Sequence, residues 1–130
     1  MKWGVVLELS VPGLAIGLAV VFGMGETPMW VLWGLLRILT SLWIARWVRR
    51  KHFAHGFYAG SISAGVAVLC GAVFFETYTG HHPEYLERAG RVPSLDPRLL
   101  LALVAVGFGL VDGIVQGSLA WIASNIVTSR

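Results

Sequence analysis

Residues 99–127 read LLLALVAVGFGLVDGIVQGSLAWIASNIV. A single ionisable side chain, Asp112, interrupts the whole stretch. A run this apolar exceeds the roughly 20 helical residues that cross about 30 Å of hydrocarbon. Three similar runs precede it, so the candidate spans are about 3–23, 28–48, 54–78 and 98–127, with a polar loop over 79–97. Four such segments in 130 residues leave no soluble arrangement that hides them. The expected fold is all-α: an integral membrane four-helix transmembrane bundle, forming a single domain over 1–130.

Composition agrees. Hydrophobic residues make up 56% of the chain and charged residues 13%, against about 25% charged in a typical soluble domain. The mean hydropathy is +0.72. The net charge of +3 does not point to nucleic acid, because the basic residues gather at the ends of the apolar runs rather than along a groove. Membrane lipids are the expected surroundings. Cys70 is the only cysteine, so no internal disulfide is available. The first run follows Lys2 and is longer than the 7–15 or so residues of a signal core, so it is expected to remain as a span.

Arg46, Arg49, Arg50 and Lys51 crowd the link between the second and third runs. Basic links stay on the cytoplasmic side. Four crossings then return both termini, with Lys2 and Arg130, to the cytoplasm, and 79–97 becomes the outer loop. The expected location is the cell (inner) membrane, multi-pass. Trp3, Trp30 and Trp47 lie near span ends, where indole rings favour the headgroup zone. Thr27-Pro28 and Asp96-Pro97 each place a capping side chain before a proline suited to the first helical position. His82-Pro83 is expected to open a short interfacial helix over Glu84–Arg91.

In lipid, helices associate through small residues that let backbones approach and through polar contacts. In the fourth run Ala105, Gly109, Gly113 and Gly117 recur every four residues and share an arc with Asp112, Gln116 and Ala120. The third run carries a matching ladder of Gly56, Gly60, Ser63, Ala64, Ala67 and Gly71. The first run has Gly13 and Gly17 on one side and Glu8, Pro12, Ala15 and Ala19 roughly opposite. A helix with two close-packing sides suits a position between two neighbours, one of which can belong to another molecule. Pro12 also removes the hydrogen bond to the Glu8 carbonyl.

Arg37 and Asp112 lie near the middles of their runs, at similar depth. Charges there normally face the interior and find partners, so an Arg37–Asp112 ion pair is the economical expectation. Gln116 lies one turn from Asp112, and Trp33, Thr40 and Ser41 share the face of Arg37. Glu8 is shallower, about 7 Å from its helix end, and is a candidate fourth member. Two roles stay open for Glu8, Arg37, Asp112 and Gln116. They line a path for a proton, ion or small solute, or they lock helix register.

His52 and His55 sit beside Lys51, and His81 and His82 precede Glu84. Neither cluster has the ligand spacing of a zinc site, so no metal is expected, with His81, His82 and Glu84 the nearest candidates. No histidine lies deep in a run, and no cofactor is expected. Ser61, Ser63 and Cys70 have no histidine at their depth, and no phosphate loop or dinucleotide fingerprint appears. These readings favour a non-catalytic accessory or structural subunit that packs with other membrane helices, as a homo-oligomer or within a larger membrane complex. The alternative is a small oligomeric ion- or proton-coupled transporter or channel using Arg37 and Asp112. A lipid-modifying enzyme using His81, His82 and Glu84 is the remaining class.

Overall fold

The computed structural model describes residues 1–128. Its elements are α1 (Trp3–Val21), α2 (Glu26–Trp47), α3 (His52–Val73), α4 (Phe75–His81), α5 (Glu84–Ala89) and α6 (Pro97–Thr128). Among the described residues every regular element is helical. Four helices, α1, α2, α3 and α6, are long and apolar enough to cross a membrane. The short links 22–25 and 48–51 make α1, α2 and α3 run up and down. The two short helices α4 and α5 carry the chain back over the bundle end to α6.

Helix α3 is central. Its largest interface is with α6 and its second is with α1, while α2 leans mainly on α6. Small residues set this order. A Cβ on Gly17 of α1 would come within 2.6 Å of the Ala67 Cα, and one on Gly13 within 2.6 Å of the Ser63 carbonyl oxygen. On α6, a Cβ at Gly109, Gly113 or Gly117 would stand 2.9, 2.8 or 2.9 Å from the carbonyl oxygens of Ser61, Phe57 and Phe53. Gly56 and Gly60 receive α6 in turn, against Gln116 and Ala120. No side chain fits in these seams, so backbones approach to a distance that larger residues forbid. The ring closes where Val5 and Leu9 of α1 pack on Ile44, Val48 and Ala120.

Several boundaries differ from the sequence reading. Helix α2 starts at Glu26, with Gly25 as its extended N-cap and no side-chain capping bond. Thr27 is therefore not the cap, and Pro28 is the third helical residue. First-turn N–H groups have no intrahelical acceptor, so proline is tolerated at each of those positions. Asp96 does cap α6: its Oδ1 accepts from the N–H groups of Arg98 at 2.9 Å and Leu99 at 3.2 Å. Helix α3 stops at Val73 rather than Tyr78, because Phe74 (φ −99°, ψ 46°) leaves the helix before α4 begins. Two phenylalanines carry the hydropathy across this break. Helix α5 ends at Ala89, short of Arg91. Gly23, at φ 107°, supplies the left-handed residue that turns α1 into α2. Arg130 lies outside the described residues.

Candidate functional site

Every three to four residues α2 turns a side chain inward: Trp33, Arg37, Thr40, Ser41 and Ile44 are buried. Asp112 and Gln116, one turn apart on α6, and Ser63 on α3 are buried at mid-helix too. These three stripes converge. Arg37 Nη1 lies 3.1 Å from Asp112 Oδ2 and donates to Gln116 Oε1 at 3.2 Å. Arg37 Nη2 donates to Ser63 Oγ at 3.1 Å. Trp33 Nε1 donates to the other carboxylate oxygen, Asp112 Oδ1, at 2.9 Å. The guanidinium carbon sits 4.5 Å from the Trp33 ring centroid, within cation–π range.

Gln116 makes the cluster a network. Its Nε2 donates to Ser41 Oγ at 2.9 Å and to the Arg37 carbonyl at 3.3 Å. Ser41 Oγ donates to that same carbonyl at 2.7 Å. Gln116 is 0% exposed, Arg37 5% and Asp112 7%. One positive and one negative group thus offset each other across α2 and α6, with α3 tied in through Ser63. Two atoms of this cluster remain without an aligned hydrogen bond, Arg37 Nε and Asp112 Oδ2. Oδ2 is near Nη1, yet the well-directed contact of that nitrogen goes to Gln116.

Glu8 is not part of this network. The buried side of α1 is Val6, Ser10, Gly13, Gly17 and Val21. Glu8 is two residues from both Val6 and Ser10, about 160° around the helix from each, and it is exposed. The polar contact of α1 with its neighbour is instead Ser10, whose Oγ donates to the Val6 carbonyl at 2.7 Å and lies 3.3 Å from the Ala59 carbonyl. Sequence reasoning placed Ser63 in a packing ladder and missed its second role. The available signal was a hydroxyl at the same mid-helix depth as Arg37, among residues otherwise limited to glycine and alanine.

A cavity of about 140 Å³ adjoins the cluster, lined by Ile16, Val20, Met29, Trp30, Trp33 and Phe108 among others. Trp33 belongs to both, while Arg37, Asp112 and Gln116 do not line it. Its wall is mostly apolar.

The histidines fasten chain ends. His55 Nδ1 pairs with the Lys51 carbonyl at 2.9 Å, and its Nε2 accepts from the Lys2 backbone N–H at 3.1 Å. His52 Nε2 contacts the Val48 carbonyl at 2.7 Å. His82 Nε2 meets the Val20 carbonyl at 2.8 Å, tying the loop to the end of α1, and its Nδ1 lies 3.4 Å from Glu84 Oε1. His81 turns back to the Thr77 carbonyl of its own helix. Among the described residues no three His, Cys, Asp or Glu side chains gather as a metal-ligand set. Tyr85 Oη donates to the Pro97 carbonyl at 2.7 Å. Burial, and then the nearby Asp96, pushes its phenol above the usual range.

The chain matches no protein-family model, no curated protein and no solved structure.

Proposed function

We propose that the chain is a multi-pass protein of the cell (inner) membrane and serves as a non-catalytic structural or accessory subunit packed with other membrane helices. Its basic 49–51 link and the start of α1 are assigned to the cytoplasmic side. Support for insertion comes from the outward faces, where Leu35, Leu39, Val106, Leu110, Ile114 and Ile126 are each more than half exposed. Exposed apolar rods of this length have a favourable environment only in hydrocarbon.

The observation that carries the non-catalytic reading is the closure of the polar cluster. Arg37, Asp112, Gln116 and Ser63 pair with one another across three helices, and the adjoining cavity is mostly apolar. A conduction path needs polar lining open to water on both sides. A closed pair instead specifies which helix faces meet. The test is twofold. The protein should remain in the membrane pellet after alkaline carbonate washing and co-isolate in mild detergent as an assembly larger than one chain. Liposomes containing it should leak protons and ions no faster than empty ones.

A second reading, a small oligomeric ion- or proton-coupled transporter, is favoured by the two unaligned atoms, Arg37 Nε and Asp112 Oδ2. Flux that disappears in folded Asp112→Asn protein would establish it and overturn the first.

A further inference from the structure

Helix α1 rests on α3 along one side and touches α2 along a narrow seam. The side opposite α3 is uncovered. There Gly4, Glu8, Pro12 and Ala15 are exposed, and a Cβ placed on Gly4 would meet nothing within 4 Å. Leu7, Val11 and Leu14 stand exposed along one flank of this strip, so its small residues form a shallow groove beside a ridge of larger side chains.

Glu8 is the one acidic residue across 1–10, 44–58 and 120–128, the positions that make up this end of the bundle. Lys2, Arg46, Arg49, Arg50 and Lys51 stand at the same end and are all exposed. None of them pairs with Glu8 within the chain. The carboxylate projects from the helix about 7 Å inside its end, where facing hydrocarbon is costly. Pro12 has no N–H, so the Glu8 carbonyl also lacks its helical donor.

The complementary surface is on α2. Leu35, Leu39 and Leu42 are 53%, 64% and 49% exposed. With Arg46 they follow the spacing of one helical ridge, turned away from the buried Arg37–Ser41 stripe. Arg46 is about 6 Å nearer its helix end than Glu8 is, an offset that its long side chain spans.

We infer that a second copy of this chain lays its Leu35–Leu39–Leu42 ridge in the α1 groove, with its Arg46 paired to Glu8. A two-fold axis makes the contact twice, because α1 and α2 are neighbours and each meets the other's counterpart. This inference rests on the membrane-subunit reading and names the partner of one surface.

The test uses the full chain in lipid nanodiscs and in native membranes, with dimer fraction as the readout. Glu8→Arg and Arg46→Glu should each lower self-association at least about tenfold, since like charges then face each other. Combining them should restore it to near the native value. In a Cys70→Ala background, Glu8→Cys with Arg46→Cys should give an intermolecular disulfide. A double charge swap as defective as the singles, with native helix content by circular dichroism, overturns the inference. A chain held one-to-one by a different protein overturns self-docking and leaves the subunit reading standing. A chain that stays alone in native membranes overturns both.

Discussion

The guanidinium of Arg37 on α2 and the carboxylate of Asp112 on α6 meet at 3.1 Å with 7% and 8% of their side chains exposed. Such a pair is asymmetric. Replacing both partners with apolar groups is often tolerated, while removing one strands a buried charge. On the proposed structural reading, it selects one register of α2 against α6 from the many that an apolar seam would accept.

Asp112→Leu alone should destabilise the bundle by about 3–5 kcal/mol, because the Arg37 charge stays buried without its counter-ion. Arg37→Met combined with Asp112→Leu should recover most of that loss. Thermal unfolding in a fixed detergent measures both, and a single variant as stable as the double would show that the pair does not act as a unit.

Trp33→Phe keeps a ring beside Arg37 but removes the donor to Asp112 Oδ1. A buried acceptor losing its bond costs about 1–3 kcal/mol. The same unfolding assay should register an intermediate loss, smaller than that of Asp112→Leu.

Gly113→Leu and Gly17→Leu should each force α3 away from a neighbour, since even a Cβ would stand 2.8 Å from the Phe57 carbonyl oxygen or 2.6 Å from the Ala67 Cα. The cost of overfilling is about 1–3 kcal/mol or more. Gly107→Leu provides the contrast. It is a helical glycine with nothing within 4 Å of a Cβ, so its melting temperature should hardly move. Equal effects at all three positions would remove the packing argument.

Tyr85→Phe should loosen the link between α5 and α6, because the hydroxyl bond to the Pro97 carbonyl is lost, at about 1 kcal/mol. Protease cleavage within 82–97 should quicken. The native phenol is raised by burial and by Asp96. Its contribution is therefore complete below the ordinary tyrosine value of about 10 and fades as pH rises through the higher folded value. Protection that weakens in that alkaline window in the native chain, and shows a smaller pH response there in Tyr85→Phe, is the expected pattern.

Hydropathy and helix-end chemistry are local, so they are readable along the chain. The four long apolar helices, the Asp96 cap and the glycine repeats on α6 follow from neighbouring residues alone. Where two local signals overlapped, the reading slipped. Phe74 and Phe75 extended the apolar run past the real end of α3, and Thr27-Pro28 imitated a cap that Gly25 takes.

Sidedness needed the assembled bundle. Glu8 and Ser10 lie two residues apart on one helix, and either can face inward until α3 occupies one flank. Ser63 became a partner of Arg37 because α3 lies between α1 and α6, an order set by how closely Gly13, Gly17, Gly109, Gly113 and Gly117 let backbones approach. Sequence alone established that apolar rods of membrane length form and that Arg37 and Asp112 share a depth. Tertiary packing decided which faces meet and which carboxylate stays outside. Side-chain contact depends on rotation about each helix axis, and that angle is set only when neighbouring helices press together.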